Sequence, residues 1–300
     1  MKWYFGLDAA GIDGDTGLHA RLAVLSALSV GGLEPHCLYA GERDAFTAWL
    51  EARGVVVHLI FPRFSQVIRD RALDGGYSLK FMGHWLRSQI CLIEHSAPMV
   101  LYTDCDVVFL KTVSFGTVPP PTIACAPEFS VDDWSYFNSG VMLMNLDQLR
   151  QDYDAFERFA IAGIRSDYSW NFRDQRGYNE FYKDRWSRLD PLCNWKPYWG
   201  YDPTASILHF HGPKFRFISA IAGGFDWTID PVDRQLGSLL LGHLPAYLQY
   251  LRLCEKIARR EDKALGETVT ATVSALAAFA KRADLSRVDL AFTKQPVSQS

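Results

Sequence analysis

The chain has 300 residues, 48% of them hydrophobic, which is enough to bury a sizeable core as one large domain or one domain with an appendage. Lysine plus arginine number 31 against 34 aspartate plus glutamate, a formal charge of -3, so there is no electrostatic footprint for nucleic acid. The six cysteines, at 37, 91, 105, 125, 193 and 254, form no C-x-x-C pair and fit no zinc module, which reads as reduced core thiols in a cytoplasmic chain. The first residues turn acidic at Asp8, unlike a signal peptide, and no apolar run reaches the roughly 20 residues of a spanning helix. The expectation is a soluble protein, peripheral to a membrane at most.

Taken in chain order, the first third alternates strand and helix. Residues 3–7 predict a strand and 11–17 a Gly/Asp-rich loop, and 18–30 predict a helix with Leu18, Leu22, Leu25 and Leu28 near one face. A strand at 36–39, a helix at 43–52 and a β-branched strand at 55–60 follow, then a helix at 81–94 and a strand at 99–103. The alternation predicts an α/β protein whose mixed sheet, at least partly parallel, is flanked by helices. Further on, a strand is expected at 122–126 after three prolines, another at 140–144, a helix at 146–162 and a last strand at 206–210. The stretch 165–205, rich in Trp, Tyr, Asn and Asp, reads as a pocket wall rather than a core. From about 236 the character changes to two amphipathic helices, one carrying Leu244, Leu248, Leu251 and Ile257 with Pro245 near its start, the other at 264–281. This divides the chain into a catalytic domain at 1–235 and a helical C-terminal region at 236–300, whose last few residues read as a loose tail.

Four constellations carry chemistry. Leu101-Tyr102-Thr103-Asp104-Cys105-Asp106 is an apolar strand ending in two carboxylates, where open α/β sheets bind ligands; two hard oxygen donors there can hold Mn2+ or Mg2+ against a diphosphate. The same residues with Val108 also fit the Asp-x-Asp-x-Val of haloacid-dehalogenase phosphatases, with Asp104 as nucleophile and Asp106 as acid/base. Asn138-Ser139-Gly140, ahead of a buried strand, offers donors and acceptors to sugar hydroxyls. Asp174-Gln175 pairs an acceptor for sugar hydroxyls with an uncharged orienting amide, and Asp174 is also a natural helix N-cap. His209-Phe210-His211-Gly212-Pro213-Lys214 sets two histidines on one side of a strand, either of which can complete a metal site, followed by a lysine able to meet a phosphate.

In order and spacing these four motifs, over about residues 80–215, resemble glycosyltransferase family 8: L-Y-x-D-x-D, F-N-S-G-V-x-L-x-N, D-Q-x-x-x-N, then H-F-x-G-P and a lysine. The resemblance implies a GT-A fold, a Rossmann-like nucleotide-diphospho-sugar transferase, to which the two amphipathic helices add a C-terminal helical appendage. It implies a UDP-sugar donor, Mn2+ with Mg2+ as the alternative ion, and transfer of a hexose-type sugar with retention to a glycan, glycolipid or protein hydroxyl. Carried over residue by residue, Asp104, Asp106 and His209 are metal ligands; Asn138, Asp174 and Gln175 stand near the donor sugar; Arg87 meets the donor; and Asp8 stands at the uracil end, while Ser139 and Lys214 are expected from their own chemistry to bind the donor as well. The alternatives are the phosphatase and an inactive sugar-nucleotide-binding module. The C-terminal helices are expected to pack on the catalytic domain, with a homodimer or a membrane surface as their other possible contacts.

Overall fold

The computed structural model describes residues 1–166 and 171–282. The loose tail expected at the C-terminus therefore lies outside the described residues, as do 283–300 of the helical region and 167–170 of the Trp-rich stretch. The strands are β1 (Lys2–Asp8), β2 (Glu34–Ala40), β3 (Val56–Leu59), β4 (Met99–Thr103), β5 (Val107–Phe109), β6 (Ile123–Pro127), β7 (Phe137–Asn145), β8 (Ser187–Arg188) and β9 (Ile207–His209). Among the described residues seven of them form one sheet in the order β3-β2-β1-β4-β7-β6-β8, and β5 pairs with β9 in a second. The strands β3, β2, β1 and β4 run parallel and β7 runs antiparallel to β4, giving the mixed sheet that the alternation predicts.

This topology makes the site. Parallel pairing of β1 with β4 brings Asp8 and Asp104 out at the same carboxyl edge. Because β7 comes back antiparallel, with Thr103 opposite Val141, its first residues reach that edge too. The register between β6 and β7 breaks there: Cys125 pairs with Met142 but Ala126 with Asn138, so Ser139, Gly140 and Val141 are extra on β7 and bulge toward the cleft. The small sheet sets Val107 opposite His209, which carries that histidine to the end of the Asp-x-Asp turn.

The helices are α1 (Asp15–Val30), α2 (Ala45–Glu51), α3 (Ser65–Leu73), α4 (Ile90–Ile93), α5 (Leu146–Arg165), α6 (Asp174–Phe181), α7 (Phe215–Ala222), α8 (Pro231–Gly242), α9 (Leu244–Glu261) and α10 (Lys263–Ala280). The helix expected at 81–94 is mostly 3-10, over Leu79–Phe81 and Gly83–Gln89, with only Ile90–Ile93 in α form. Trp85 through Gln89 are all buried, and the segment lies on β1, where a Cβ on Gly6 would meet Gly83 O at 3.4 Å and one on Gly83 would meet Asp8 Cβ at 3.2 Å. α1 starts at Asp15, inside the expected loop, and β5, α3, α7 and α8 are elements that the sequence reading left out. The Trp-rich stretch is in good part core: Tyr178, Tyr182 and Tyr198 are buried, the first two in the core with α5 and the third in the core with α9.

The expected boundary at 235/236 falls inside α8. α9 and α10 form an antiparallel pair so close that a Cβ on Gly266 would lie 2.8 Å from Arg259 Cα. Their apolar faces share one core with Leu22 and Leu25 of α1, Val108 of β5, and Leu208 and Phe210 beside His209. Among the described residues no helix is long and apolar enough to cross a membrane. Leu251 is fully buried in that shared core. Leu251→Ala is expected to cost about 2–5 kcal/mol, read from urea unfolding, with secondary and tertiary signals lost in one transition because the helices and the sheet share a core.

Candidate active site

The carboxyl edge opens into a cavity of about 910 Å3 whose walls include Asp8, Asp104, Asp106, Asn138, Gln175 and His209. All ten residues singled out for the site line it, since Arg87, Ser139, Asp174 and Lys214 complete its wall. Burial and hydrogen bonding sort them into three groups.

The first is built on Arg87, which is 3% exposed. Its Nη2 lies 2.5 Å from Asp104 Oδ1 and 3.1 Å from Asp174 Oδ2, and its Nη1 donates to Ser139 O at 2.5 Å. The guanidinium also covers the Tyr102 ring at 4.4 Å. Burial works against the charge on Arg87, but Asp104 and Asp174 outweigh it and hold the guanidinium more basic than usual. Burial likewise opposes ionisation of Asp174, and Arg87 and His84 overcome it, holding its carboxyl below the usual range. Asp174 is not the N-cap expected from sequence. Arg173 holds that position and Asp174 is the first helical residue, its carboxylate turned inward to Arg87.

The second group is Asp104, Asp106 and His209, which offer one ligand atom each within 4.8 Å of one another, the arrangement of a candidate metal centre. A chain of hydrogen bonds fixes the imidazole. The backbone N–H of Gly140 donates to Asn138 Oδ1 at 3.0 Å, and Asn194 Nδ2 donates to the same oxygen at 3.0 Å. Asn194 Oδ1 is thereby turned to His209 Nδ1, 2.8 Å away, which must carry the proton. His209 Nε2 then presents a lone pair to Asp106 Oδ1 at 3.2 Å, and that buried oxygen has no hydrogen-bond partner. Two lone pairs facing each other in a buried site are what a cation would fill, so these residues fit a divalent ion. Burial, then His211, lowers the pKa of His209 to about 3. The loss of metal affinity near pH 6.5 that an ordinary histidine would give therefore does not follow for this one. His211 is committed elsewhere, with Nδ1 2.8 Å from Tyr198 Oη and Nε2 3.1 Å from Glu128 Oε1, which separates two histidines that spacing alone could not. Lys214 donates to Asp106 Oδ2 and, at 2.7 Å, to Phe210 O.

The third group holds Gln175. Its Oε1 accepts from Asn138 Nδ2 at 3.1 Å and from Ser139 N at 3.0 Å, leaving the amide nitrogen as the end able to donate. Asp8, at the far end, accepts from Ala10 N at 2.9 Å and caps the 3-10 turn at Ala9–Gly11. Sequence reasoning passed over Glu128 and Asn194. Glu128 is buried and accepts from Asn138 Nδ2 at 2.6 Å; burial opposes its charge, but His211 and Lys196 bring its pKa to about 2. It follows the buried strand β6 directly, as Asp104 follows β4, and that pattern would have found it. Asn194 sits in an irregular stretch with no comparable signal.

A mixed sheet with its cleft at the carboxyl edge, an Asp-x-Asp turn there and C-terminal helices behind it define the GT-A nucleotide-diphospho-sugar transferase architecture. Residues 126–214 match the family model described as Glycosyl transferase family 8. No curated protein matches the chain. Among solved structures, the galactosyltransferase LgtC in complex with donor and acceptor sugar analogs superposes with a TM-score of 0.53 at 20% identity, over 80% of this chain and 95% of that one. The glycosyltransferase GlyE of Streptococcus pneumoniae gives 0.51 at 16% identity over 70% of this chain, which spans about half, 54%, of GlyE. At these identities the likeness establishes the fold. The family 8 resemblance is thus carried by the sequence of residues 126–214 and by the fold around them.

The hydrogen bond of Asn194 to the cluster is to His209 Nδ1, so Asn194→Leu should lower Mn2+ affinity about 10–100-fold with an unchanged circular dichroism spectrum, measured by titrating free Mn2+ with electron paramagnetic resonance. Gly140→Ala should abolish detectable Mn2+ binding in the same titration, because its Cβ would stand 2.2 Å from His209 Cε1 and 2.9 Å from Asp104 Oδ2.

Proposed function

We propose that this chain is a retaining, metal-dependent glycosyltransferase that moves a hexose-type sugar from a UDP-sugar to a hydroxyl of a glycan, glycolipid or protein. The observation that carries the reading is the Asp104–Asp106–His209 cluster at the carboxyl edge of a GT-A sheet, partly within the family 8 segment. Those three residues would hold the ion, Mn2+ or Mg2+, and a divalent ion there supplies positive charge against the departing diphosphate. Lys214, which donates to Asp106, would add a second cation beside the leaving group. Asp8 and the Ala9–Gly11 turn form the end of the cavity suited to the base.

Gln175 and Asn138 stand on one hydrogen-bonded platform and would orient the sugar. A carboxamide is a weak nucleophile, and Asp174 is neutralised by Arg87, so these residues position the donor and do not attack it. Attack by the acceptor on the face from which UDP leaves then gives retention. The phosphatase alternative needs a free Asp104 nucleophile, whereas Asp104 is held by Arg87 and by Tyr102 Oη at 3.1 Å. The complete cluster likewise favours an enzyme over an inactive binding module. All six cysteines are unpaired, which supports a reducing compartment.

Incubation with a panel of UDP-sugars and Mn2+ should release UDP slowly without acceptor, and p-nitrophenyl phosphate should be left intact. Efficient phosphatase turnover that Asp104→Asn abolishes would overturn the reading. A β-linked product from an α-linked donor, seen at the anomeric proton by NMR, would overturn retention alone. His209→Ala should raise the Mn2+ requirement by more than the ~10–100-fold typical of a supporting residue, while His211→Ala should leave it near the wild-type value.

A further inference from the structure

At the Asp8 end of the cavity the cations stand among acidic residues: Lys214 bonds Asp106, and Arg216, whose backbone N–H donates to Asp15 Oδ1 at 3.0 Å, donates from Nη2 to the backbone carbonyl of Asp13 at 2.6 Å. Across the cavity, beyond Gln175, the start of α6 and the residues before Arg87 bring Lys80, His84, Arg173 and Arg176 to the wall. His84 stands 3.3 Å from Asp174 Oδ1, and Arg176 pairs with Glu180 at 2.6 Å in a pair exposed enough to contribute little. Arg173 and Lys80 pair with no carboxylate among the described residues. Phe81 holds them together: the Arg173 guanidinium lies 4.4 Å from its ring centre, and Lys80 is its chain neighbour. Arg173 Nε is buried without a hydrogen-bond partner. The chain as a whole is negative, at -3, so this is a local excess of positive charge and not a basic surface.

Arg173 is half-buried with one buried donor, Nε, left unpartnered, and Lys80 is exposed, so both cations have donors to offer an anion that docks there. In the glycosyltransferase reading the charge of the diphosphate would be met by Lys214 and by the ion that Asp104, Asp106 and His209 would hold, and the transferred hexose would stand beside Gln175 and Asn138. What arrives at Arg173 comes with the acceptor. The geometry points to an acceptor that carries an anionic group, a phosphate or a carboxylate, bound by Arg173 and Lys80 with support from Arg176. This rests on the glycosyltransferase reading, since it takes the orientation of the donor from it.

The full-length chain, saturated with Mn2+ and UDP so that the metal site is filled, is titrated calorimetrically with glucose, glucose 6-phosphate and glucuronate. At least one anionic sugar should bind about tenfold or more tighter than glucose, less so as NaCl is raised, and the Lys80→Gln/Arg173→Gln variant should bind it no better than glucose. UDP affinity of the variant checks that its nucleotide end is intact. Preference for the phosphate over the carboxylate, or the reverse, identifies the group. The proposal is overturned if neither anionic sugar outbinds glucose, or if the preference survives in the double variant. Preferential anion binding by a chain that releases UDP from no UDP-sugar would instead remove the transferase reading and leave the anion site standing.

Discussion

The buried guanidinium of Arg87 joins three elements that are far apart in sequence. It ties the residue after β4 through Asp104, the bulged start of β7 through Ser139 O, and the start of α6 through Asp174. A buried charge of this kind is tolerable only because every partner is present; removing one side of such a pair costs about 3–5 kcal/mol. The three elements therefore cannot drift independently. The distance between the Asp-x-Asp carboxylates and the Asp174-Gln175 platform is set before any ligand binds, so the site is preorganised.

A second, uncharged network sets direction where Arg87 sets position. Asn138 accepts from the Gly140 backbone and from Asn194 and donates toward Glu128 and Gln175. The polarity of every amide in the chain follows from the Gly140 N–H, which cannot be reversed. One end of the relay fixes the proton on His209 Nδ1; the other fixes which end of Gln175 is left to donate. The β7 bulge is what makes it possible, because a regular strand would turn Ser139 and Gly140 to alternate faces. Gly140 is required there for space, with His209 and Asp104 occupying the volume of any side chain.

Much of this was legible in the sequence where it depends on local pattern. The strand before Asp104 was read with the bounds β4 has, because a short apolar run ending in two carboxylates has few other readings. The residues of the four motifs converge as their order predicts. What the sequence did not reveal depends on long-range pairing. β5 is too short to show periodicity and exists because β9 lies beside it, and α7 and α8 are short and were absorbed into loop and helix. The segment 83–89 is 3-10 rather than α, its residues Trp85 to Gln89 all buried against β1 and the rest of the core. Asn194 acquires its role only through two partners, His209 and Asn138, that lie 15 and 56 residues away.

The C-terminal helices bear on the site through the same small sheet. Along β9 and the residue after it, alternation sends Leu208 and Phe210 into the core formed with α8, α9 and α10, while His209 points to the cavity. On the partner strand Val108 joins that core, and Val107 and Phe109 face the sheet on the other side. The strand carrying the histidine is thus gripped from behind by helices and in front by its hydrogen bonds, Trp195 O accepting from His209 N at 2.7 Å and Asp106 O from Phe210 N at 2.8 Å. Without the helices Leu208 and Phe210 would face water, and a two-stranded ribbon has little stability of its own. The hydrophobic effect acting some distance from the cavity is therefore what holds His209 opposite Asp106, and in this sense the C-terminal region is part of the candidate metal centre.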